Sequence, residues 1–400
     1  MSTIALPEAA PPTHSLSKKI LQVAAACLLL AICAGILAAG MTSNSAANRD
    51  FISYWAAGQR IAHGADPYNG LAILKLEKSA GWQPNRPLIM RNPPFALFLT
   101  IPLGFVNAKT GAVLWSLAIL LCLMTSLRLL RRMHGCPNNR LHLLGYVFAP
   151  ALACLLAGQT SAFVLLGLTF FLYFHRSRQF LSGAALLLCA LKPHLFLPFG
   201  VVLLAWIGMS KAYRILAGAT LALSVSCALS FLFDRSIYAQ YSSMAGSTGI
   251  EGEFVPTLSE LFRIAIRPEA AWLQFLPALL TSIWALWYFR RSSRYWDWST
   301  HGSLLLMISV LVAPYAWLTD QVVLLPAILQ VVYSYSDSSR DRPLIWFALV
   351  DGTALCEVLS GVQLDSVLFT WTAAAWLAWY LWAMHPSRNP SKCPEPVLLA

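Results

Sequence analysis

One acidic and two aromatic residues follow the first apolar segment of the chain at a spacing that suits a helix. Asp50, Tyr54 and Gly58 are four residues apart, so a helix places them on one face, with Trp55 beside Tyr54. A carboxylate held there, just outside a membrane segment, has the chemistry of a general base facing a cavity at the lipid boundary. Asp also caps helices, and Tyr and Trp also anchor chains at membrane interfaces, so those alternatives stay open.

A lone lysine is the second candidate for chemistry. Lys192 stands between two short apolar runs and directly precedes Pro193. An ionisable residue at membrane depth is a functional candidate by default, and an ammonium group there could offset the charge of a phosphate; lining a hydrated crevice is the structural alternative. His194 beside it is more typical of a structural histidine. Arg91 could bind a phosphate as a forked donor or serve as an ordinary interfacial arginine.

The loops on the predicted outer side carry the remaining polar candidates. Gln159, in a short connection, could hold a sugar hydroxyl or satisfy backbone groups at a helix end. The second large outer loop, Asp234 to Pro268, could cap the site or recognise the acceptor. Its charged residues include Glu251, Glu253, Arg263 and Arg267, most of which we expect to be solvated. The His and Cys residues show no spacing typical of metal ligands, so the sequence indicates neither a metal nor another cofactor.

The elements that must position these residues are membrane helices. The chain is 58% hydrophobic and only 11% charged, which predicts lipid as its solvent and an all-α protein that crosses the bilayer about a dozen times. The predicted runs are Ile20 to Met41, Thr110 to Leu130, Leu141 to Ala157, Ser161 to Phe174, Phe180 to Leu191, Leu195 to Met209, Ile215 to Phe233, Ala271 to Phe289, Gly302 to Ala313, Val322 to Tyr335, Leu344 to Ser360 and Val367 to Met384.

The basic residues predict the orientation of these runs. Every segment on the predicted inner side carries at least two Lys or Arg residues, which places both termini in the cytoplasm and accounts for most of the net charge of +11 without a nucleic-acid partner. The run from Ile20 to Met41 is longer than the core of a cleaved signal, so we interpret it as a retained anchor. We expect one transmembrane domain, 20–385, between cytoplasmic tails 1–19 and 386–400. Pro193 predicts that residues 180–209 form a broken pair of helices.

Several short strings together resemble glycosyltransferase family 87, whose characterised members are polyprenyl-phosphate-mannose-dependent mannosyltransferases. The likeness spans almost the whole chain. The matching pieces are Asp50-Phe51 with Tyr54-Trp55, Ala57-Gly58 and Gly64, then Asp66-Pro67-Tyr68, Asn92-Pro93-Pro94-Phe95, Pro102-Leu103, Gly158-Gln159, Leu191-Lys192-Pro193 and Pro314-Tyr315 with Asp320.

The resemblance implies a GT-C architecture of about 12 transmembrane helices with an active site at the outer face. A hexose, with mannose as the family-based choice, would move with inversion from a polyprenyl-phosphate donor to a lipid or glycan acceptor. Asp50 would be the catalytic base, and Lys192 with Arg91 would bind the donor phosphate. The further candidate substrate contacts are Tyr54, Trp55, Asp66, Gln159, His194 and Asp320. Similarity to bacterial enzymes implies the inner membrane, with the site toward the periplasm or cell exterior.

A transporter or flippase for a lipid-linked sugar is the rival interpretation. Asp351 lies near the middle of the run Leu344 to Ser360, and carboxylates at such depth occur in ion and proton pathways. Transporters of this kind often contain inverted repeats, and the sequence shows no clear repeat. Convergence of the acidic residues around Asp50 would favour the enzyme, and a path through Asp351 would favour transport.

Overall fold

The computed structural model of the protein describes residues 50–247, 254–335 and 342–385, in which the regular elements are helices. The α-helices are α1 Phe51–Ala62, α2 Gly70–Ala80, α3 Ala108–Met133, α4 Leu144–Val147, α5 Ala149–Ala157, α6 Ser161–Phe174, α7 Gln179–Cys189, α8 Leu197–Ser210, α9 Tyr213–Phe233, α10 Ile237–Ser247, α11 Leu258–Ile266, α12 Leu276–Ser292, α13 His301–Leu311, α14 Leu325–Ser334, α15 Arg342–Leu359 and α16 Thr372–Met384. The predicted anchor Ile20 to Met41, both predicted tails, Glu251 and Glu253 lie outside the described residues.

Five described helices, some extended by a 3-10 turn, are long and apolar enough to cross a membrane. They are Ala108–Met133, Pro193–Ser210, Tyr213–Phe233, Ala271–Tyr295 and Val367–Met384. Four further apolar segments are shorter: Ser161–Phe174, Gln179–Cys189, His301–Leu311 and Leu318–Ser334. The chain is therefore an all-α membrane protein. The described part supports fewer full spans than the predicted dozen, because many of its apolar helices are shorter than the roughly 20 residues of an upright span.

The break predicted near Pro193 is confirmed. Lys192 has non-helical φ and ψ angles of −138° and 66°, and a 3-10 turn over Pro193–Phe196 precedes α8. Gly183, near the start of α7, lies so close to the carbonyl oxygen of Ile215, near the start of α9, that a Cβ atom would clash. The first turns of helices α7 and α9 therefore lie side by side. Helix α8, which connects them in sequence, must run back from the end of α7 to the level of its start.

A second break divides the predicted run Leu141 to Ala157. Phe148, with φ −56° and ψ 118°, separates α4 from α5, and the freed N–H of Ala149 donates to Oδ1 of Asp351 at 2.8 Å. A buried helix start needs acceptors for its first amides, and the carboxylate of Asp351 on α15 supplies one. This contact gives Asp351 a structural role that the sequence did not suggest.

Asp50 as a start signal and Gly64 as a stop signal predict a short helix between them, and helix α1 spans Phe51–Ala62 but is buried. It ends at Ala62, and the chain then turns at Gly64, whose φ is +67°. Tyr54 and Trp55 are only 5% and 7% exposed, and the indole N–H of Trp55 donates to the carbonyl of Val106 at 2.9 Å. Their interpretation as interfacial anchors is therefore wrong, because both rings pack inside the protein.

Three charged residues of the loop regions, Glu77, Glu260 and Arg263, are also buried. Arg263, expected to be solvated, is 5% exposed and forms an ion pair with Glu260 one turn earlier on α11. Arg267 is exposed, as expected. Glu77 on α2 is fully buried, and its two carboxylate oxygens both lie 3.2 Å from the backbone nitrogen of Leu88. This hydrogen bond fastens α2 to the segment that leads toward Asn92.

Stability is predicted to depend on pH through Glu77. Burial raises the pKa of Glu77 from 4.5 to about 7, against the opposing effect of the Leu88 hydrogen bond. Because the folded protein binds this proton more tightly than the unfolded chain, stability falls as pH rises from about 5 through 7. We expect Glu77→Gln, which keeps the acceptor oxygen but carries no charge, to have a higher unfolding temperature than the wild type at pH 8 and the same one at pH 5.

The control for this prediction is Glu269→Gln, since Glu269 is largely exposed. This variant should follow the wild type at both pH values in the same thermal unfolding experiment. A Glu77→Gln curve parallel to that of the wild type from pH 5 to pH 8 would show that the Glu77 carboxyl does not titrate differently in the folded protein.

Candidate active site

A tight turn between α5 and α6 positions Gln159. Gly158 ends α5 with φ +71°, and a Cβ atom there would lie 2.8 Å from the Cβ of Phe51 at the start of α1. The indole N–H of Trp115 on α3 donates to the Gly158 carbonyl at 2.7 Å. Only glycine combines this backbone conformation with so close an approach of α1, so the turn holds Gln159 against that helix.

The side-chain amide of Gln159 joins three of the predicted site residues. Its Nε2 donates to Oδ2 of Asp50 at 2.6 Å, and its Oε1 accepts from the Tyr54 hydroxyl at 3.1 Å and from Nζ of Lys192 at 3.0 Å. Because an ammonium group can only donate, Oε1 must face Lys192 and Nε2 must face Asp50. The amide therefore presents an N–H to the carboxylate.

Lys192 is paired with a second carboxylate. Its Nζ donates to Oδ1 of Asp320 at 2.6 Å and to Oγ of Ser161 at 3.1 Å, besides Gln159. These three bonds use all three N–H groups of the ammonium. The Asp320 side chain is fully buried, and its Oδ2 accepts the backbone N–H of Trp317 at 3.0 Å. Asp320 is thus the counter-ion of Lys192, a closer tie to the site than the sequence indicated.

Asp50 does not cap helix α1. Its backbone is helical, its side chain makes no capping hydrogen bond, and its Oδ2 is turned to Gln159. Burial raises the pKa of Asp50, while the Gln159 hydrogen bond and the charge of Lys192 oppose that rise. The carboxyl group is therefore a stronger proton acceptor than an exposed aspartate, as a general base requires.

The other predicted residues make contacts outside the hydrogen bonds of this cluster. Asp66 accepts the backbone N–H of Tyr68 at 2.8 Å in a turn, and Trp55 binds the Val106 carbonyl as described above. The His194 ring lies edge-on to Tyr315, with centroids 5.6 Å apart. Arg91 is exposed, and the cluster hydrogen bonds described above do not include it.

Two cluster contacts were missed by sequence reasoning. The hydroxyl of Ser161 donates to Oδ1 of Asp320 at 2.6 Å. The sequence gives no sign of this contact, because serine is common at helix starts as a capping residue. Asn92, quoted only as part of a motif, donates from Nδ2 to the carbonyl of Leu191 at 2.8 Å and so holds the chain next to Lys192. Among the described residues, no three His, Cys, Asp or Glu side chains are grouped closely enough to hold a metal ion.

The family model described as glycosyltransferase family 87 matches residues 91–314 of the chain. The chain belongs to this family. The search of the curated proteins and the search of the solved structures each found no match. The matched segment of this membrane glycosyltransferase includes Arg91, Gln159, Lys192 and His194, whereas Asp50 precedes it and Asp320 follows it.

The pH dependence of the glycosyltransferase is predicted to respond to Gln159. Gln159→Leu removes the N–H that favours the ionised form of Asp50, so the pKa of Asp50 rises further. If Asp50 is the base, the acidic limb of the kcat/KM profile of Gln159→Leu lies at higher pH than that of the wild type. The loss of kcat/KM relative to the wild type is then smaller at a pH above this limb than at low pH. A uniform loss at every pH would instead assign Gln159 a role in packing alone.

Proposed function

We propose that the protein is an inverting GT-C glycosyltransferase that moves a hexose, mannose by family resemblance, from a polyprenyl-phosphate donor to a lipid or glycan acceptor. The proposal includes about 12 transmembrane helices in one domain, 20–385, and the bacterial inner membrane as its location. Supporting the orientation, Arg131, Arg132, Arg290 and Arg291 lie in the last turns of α3 and α12. Such basic ends are typical of the cytoplasmic side, with the active site at the opposite face.

The observation that carries the proposal is the link from Asp50 through Gln159 to Lys192. In the proposed reaction, Asp50 takes the proton of an acceptor hydroxyl as its oxygen forms a bond to the sugar C1. The bond from C1 to the phosphate oxygen breaks on the opposite face, and the lipid phosphate leaves with the electron pair. A buried carboxylate with one fixed N–H donor suits the first task, because it is held in one orientation.

In this proposal, Lys192 and Arg91 stabilise the negative charge on the departing phosphate. The three N–H groups of Lys192 bind Gln159, Ser161 and Asp320, so its positive charge acts on the donor through the field of the site. Direct contact by Lys192 requires one of those bonds to exchange for a phosphate oxygen. Direct contact with the phosphate is assigned to Arg91, whose side chain is exposed and whose guanidinium group suits phosphate oxygens.

Transfer of labelled sugar from a defined donor tests the proposed function. Purified protein in lipid nanodiscs is incubated with radiolabelled polyprenyl-phosphate mannose and lipid and glycan extracts of bacterial membranes, and labelled products are separated from the donor. We expect label in a new lipid or glycan. Transfer from polyprenyl-phosphate glucose but not from polyprenyl-phosphate mannose would make glucose, not mannose, the transferred sugar. No transfer from any polyprenyl-phosphate sugar would overturn the donor class.

The transport alternative depends on Asp351 and gives an opposite prediction for Asp351→Asn. An asparagine keeps an oxygen that accepts the N–H of Ala149, so the break between α4 and α5 stays satisfied and we expect sugar transfer within about twofold of the wild type. A proton or ion path through Asp351 would be blocked by this change. Measuring transfer and flipping of a fluorescent lipid-linked sugar in the same vesicles separates the two functions.

A further inference from the structure

A cleft of about 630 Å³ lies between helix α2, the segment that follows it and helix α10. Its volume is within the range of small-molecule sites, roughly 300–1,000 Å³. The polar lining residues include Asp66, Asn69, Asn85, Gln240 and Ser243. None of these residues belongs to the Asp50 cluster, so the cleft lies outside the hydrogen-bonded site described above.

The lining chemistry favours a neutral, hydroxyl-rich ligand. Amide, hydroxyl and carboxylate groups form the polar part of the wall, and its described lining residues include no Lys or Arg. Beside the wall, Arg60 donates to the Asp66 carbonyl at 3.1 Å and Lys78 donates to Oδ1 of Asn85 at 3.0 Å. Sugar hydroxyls can both donate to and accept from the amide, hydroxyl and carboxylate groups of the wall. The cleft therefore offers a saccharide partners for its hydroxyl groups.

Gln240 on α10 gives a second, independent indication. Its Nε2 donates to Oδ2 of Asp234 at 2.7 Å, which fixes the amide, and its Oε1 is buried without a hydrogen-bond donor among the described residues. A buried acceptor of this kind usually has a partner, and a ligand hydroxyl is a donor of the right type.

The cleft is connected to the candidate active site through its wall. Tyr68 lines the cleft, its ring lies edge-on to Tyr241 of α10, and its hydroxyl donates to the Asn92 carbonyl at 3.1 Å. Asn92 in turn binds the carbonyl of Leu191, the neighbour of Lys192. Two hydrogen bonds thus fix the position of the cleft relative to the ammonium group.

We infer that this cleft binds the neutral saccharide part of the acceptor, while the hydroxyl to be glycosylated reaches Asp50. The inference rests on the proposed function, since it names the acceptor class of that same reaction. It assigns Gln240 and Ser243 to acceptor binding and gives them no part in the chemistry.

Two neighbouring serines on α10 provide the variant and its control. Both serines are exposed, and Ser243 lines the cleft whereas Ser242 does not. Ser243→Trp should fill part of the cleft, and Ser242→Trp adds the same ring outside it. Binding of mannotriose to purified protein in nanodiscs, followed by saturation-transfer NMR without donor, should be about tenfold weaker for Ser243→Trp only, as expected for about 1.4 kcal/mol of lost contacts.

Each other outcome overturns the inference. Equal signals from the wild type and Ser243→Trp, equal losses in both variants, or no binding by the wild type would each exclude this cleft as a neutral saccharide site. The binding measurement needs no donor, so it fails independently of the proposed function. Saccharide binding without transfer from any polyprenyl-phosphate sugar would overturn the proposed donor class and leave the cleft, and transfer that is unaffected by Ser243→Trp would reject the cleft as the acceptor site.

Discussion

Asp50→Asn is expected to lower the rate of sugar transfer by about 10²–10⁴-fold, the usual contribution of a general base. Asparagine keeps an oxygen that accepts the N–H of Gln159, so the link to Lys192 stays intact while the proton acceptor is lost. The loss should appear in kcat, and the KM for the donor should change little. The measurement is transfer of labelled sugar by wild type and variant at matched protein concentration.

Folding must be separated from chemistry in this comparison. Removal of a buried carboxylate with a raised pKa should not destabilise the protein, so the unfolding temperature of Asp50→Asn should equal or exceed that of the wild type near neutral pH. Glu269→Gln, which changes an exposed loop carboxylate, serves as the matched control and should keep full activity. Transfer by Asp50→Asn at the wild-type rate would remove Asp50 from the mechanism.

Local signals in the sequence predicted much of the fold. Pro193 and the two short runs beside it predicted the break between α7 and α8, because proline cannot donate a helical hydrogen bond. The bounds of α1 followed from its flanking residues, with Gly64 in the left-handed conformation after its end. The break at Phe148 carries no such signal, because the amide it frees is satisfied by Asp351 from a distant helix.

The sequence predicted which residues form the candidate site but not the hydrogen bonds that join them. Asp50, Gln159 and Lys192 were all candidates, yet nothing local shows that one amide joins them, because the three residues come from separate elements. The preference of aspartate for helix caps pointed to the wrong role for Asp50, since a long-range hydrogen bond outweighs a local one here. Asp320 was underrated for the same reason, as 128 positions separate it from Lys192.

Lys192→Met is expected to destabilise the folded protein by about 3–5 kcal/mol, because it leaves the fully buried Asp320 carboxylate without its counter-ion. The remaining donors to Asp320 are the Ser161 hydroxyl and the backbone N–H of Trp317, and neither carries a charge. Asp320→Asn should also destabilise, since it leaves the Lys192 ammonium buried beside neutral groups only. Each single variant therefore removes one charge and strands the other.

The double variant Lys192→Met with Asp320→Asn should recover most of the stability lost by either single change. Both charges are then absent, and asparagine can still accept the Trp317 N–H, so the coupling between the two positions is large. Unfolding of the four proteins in the same detergent, compared as a double-mutant cycle, measures this coupling. Additive losses would mean that the pair contributes no net interaction. Sugar transfer should stay low in the stable double variant, because the positive charge beside Gln159 is lost even though the fold is retained.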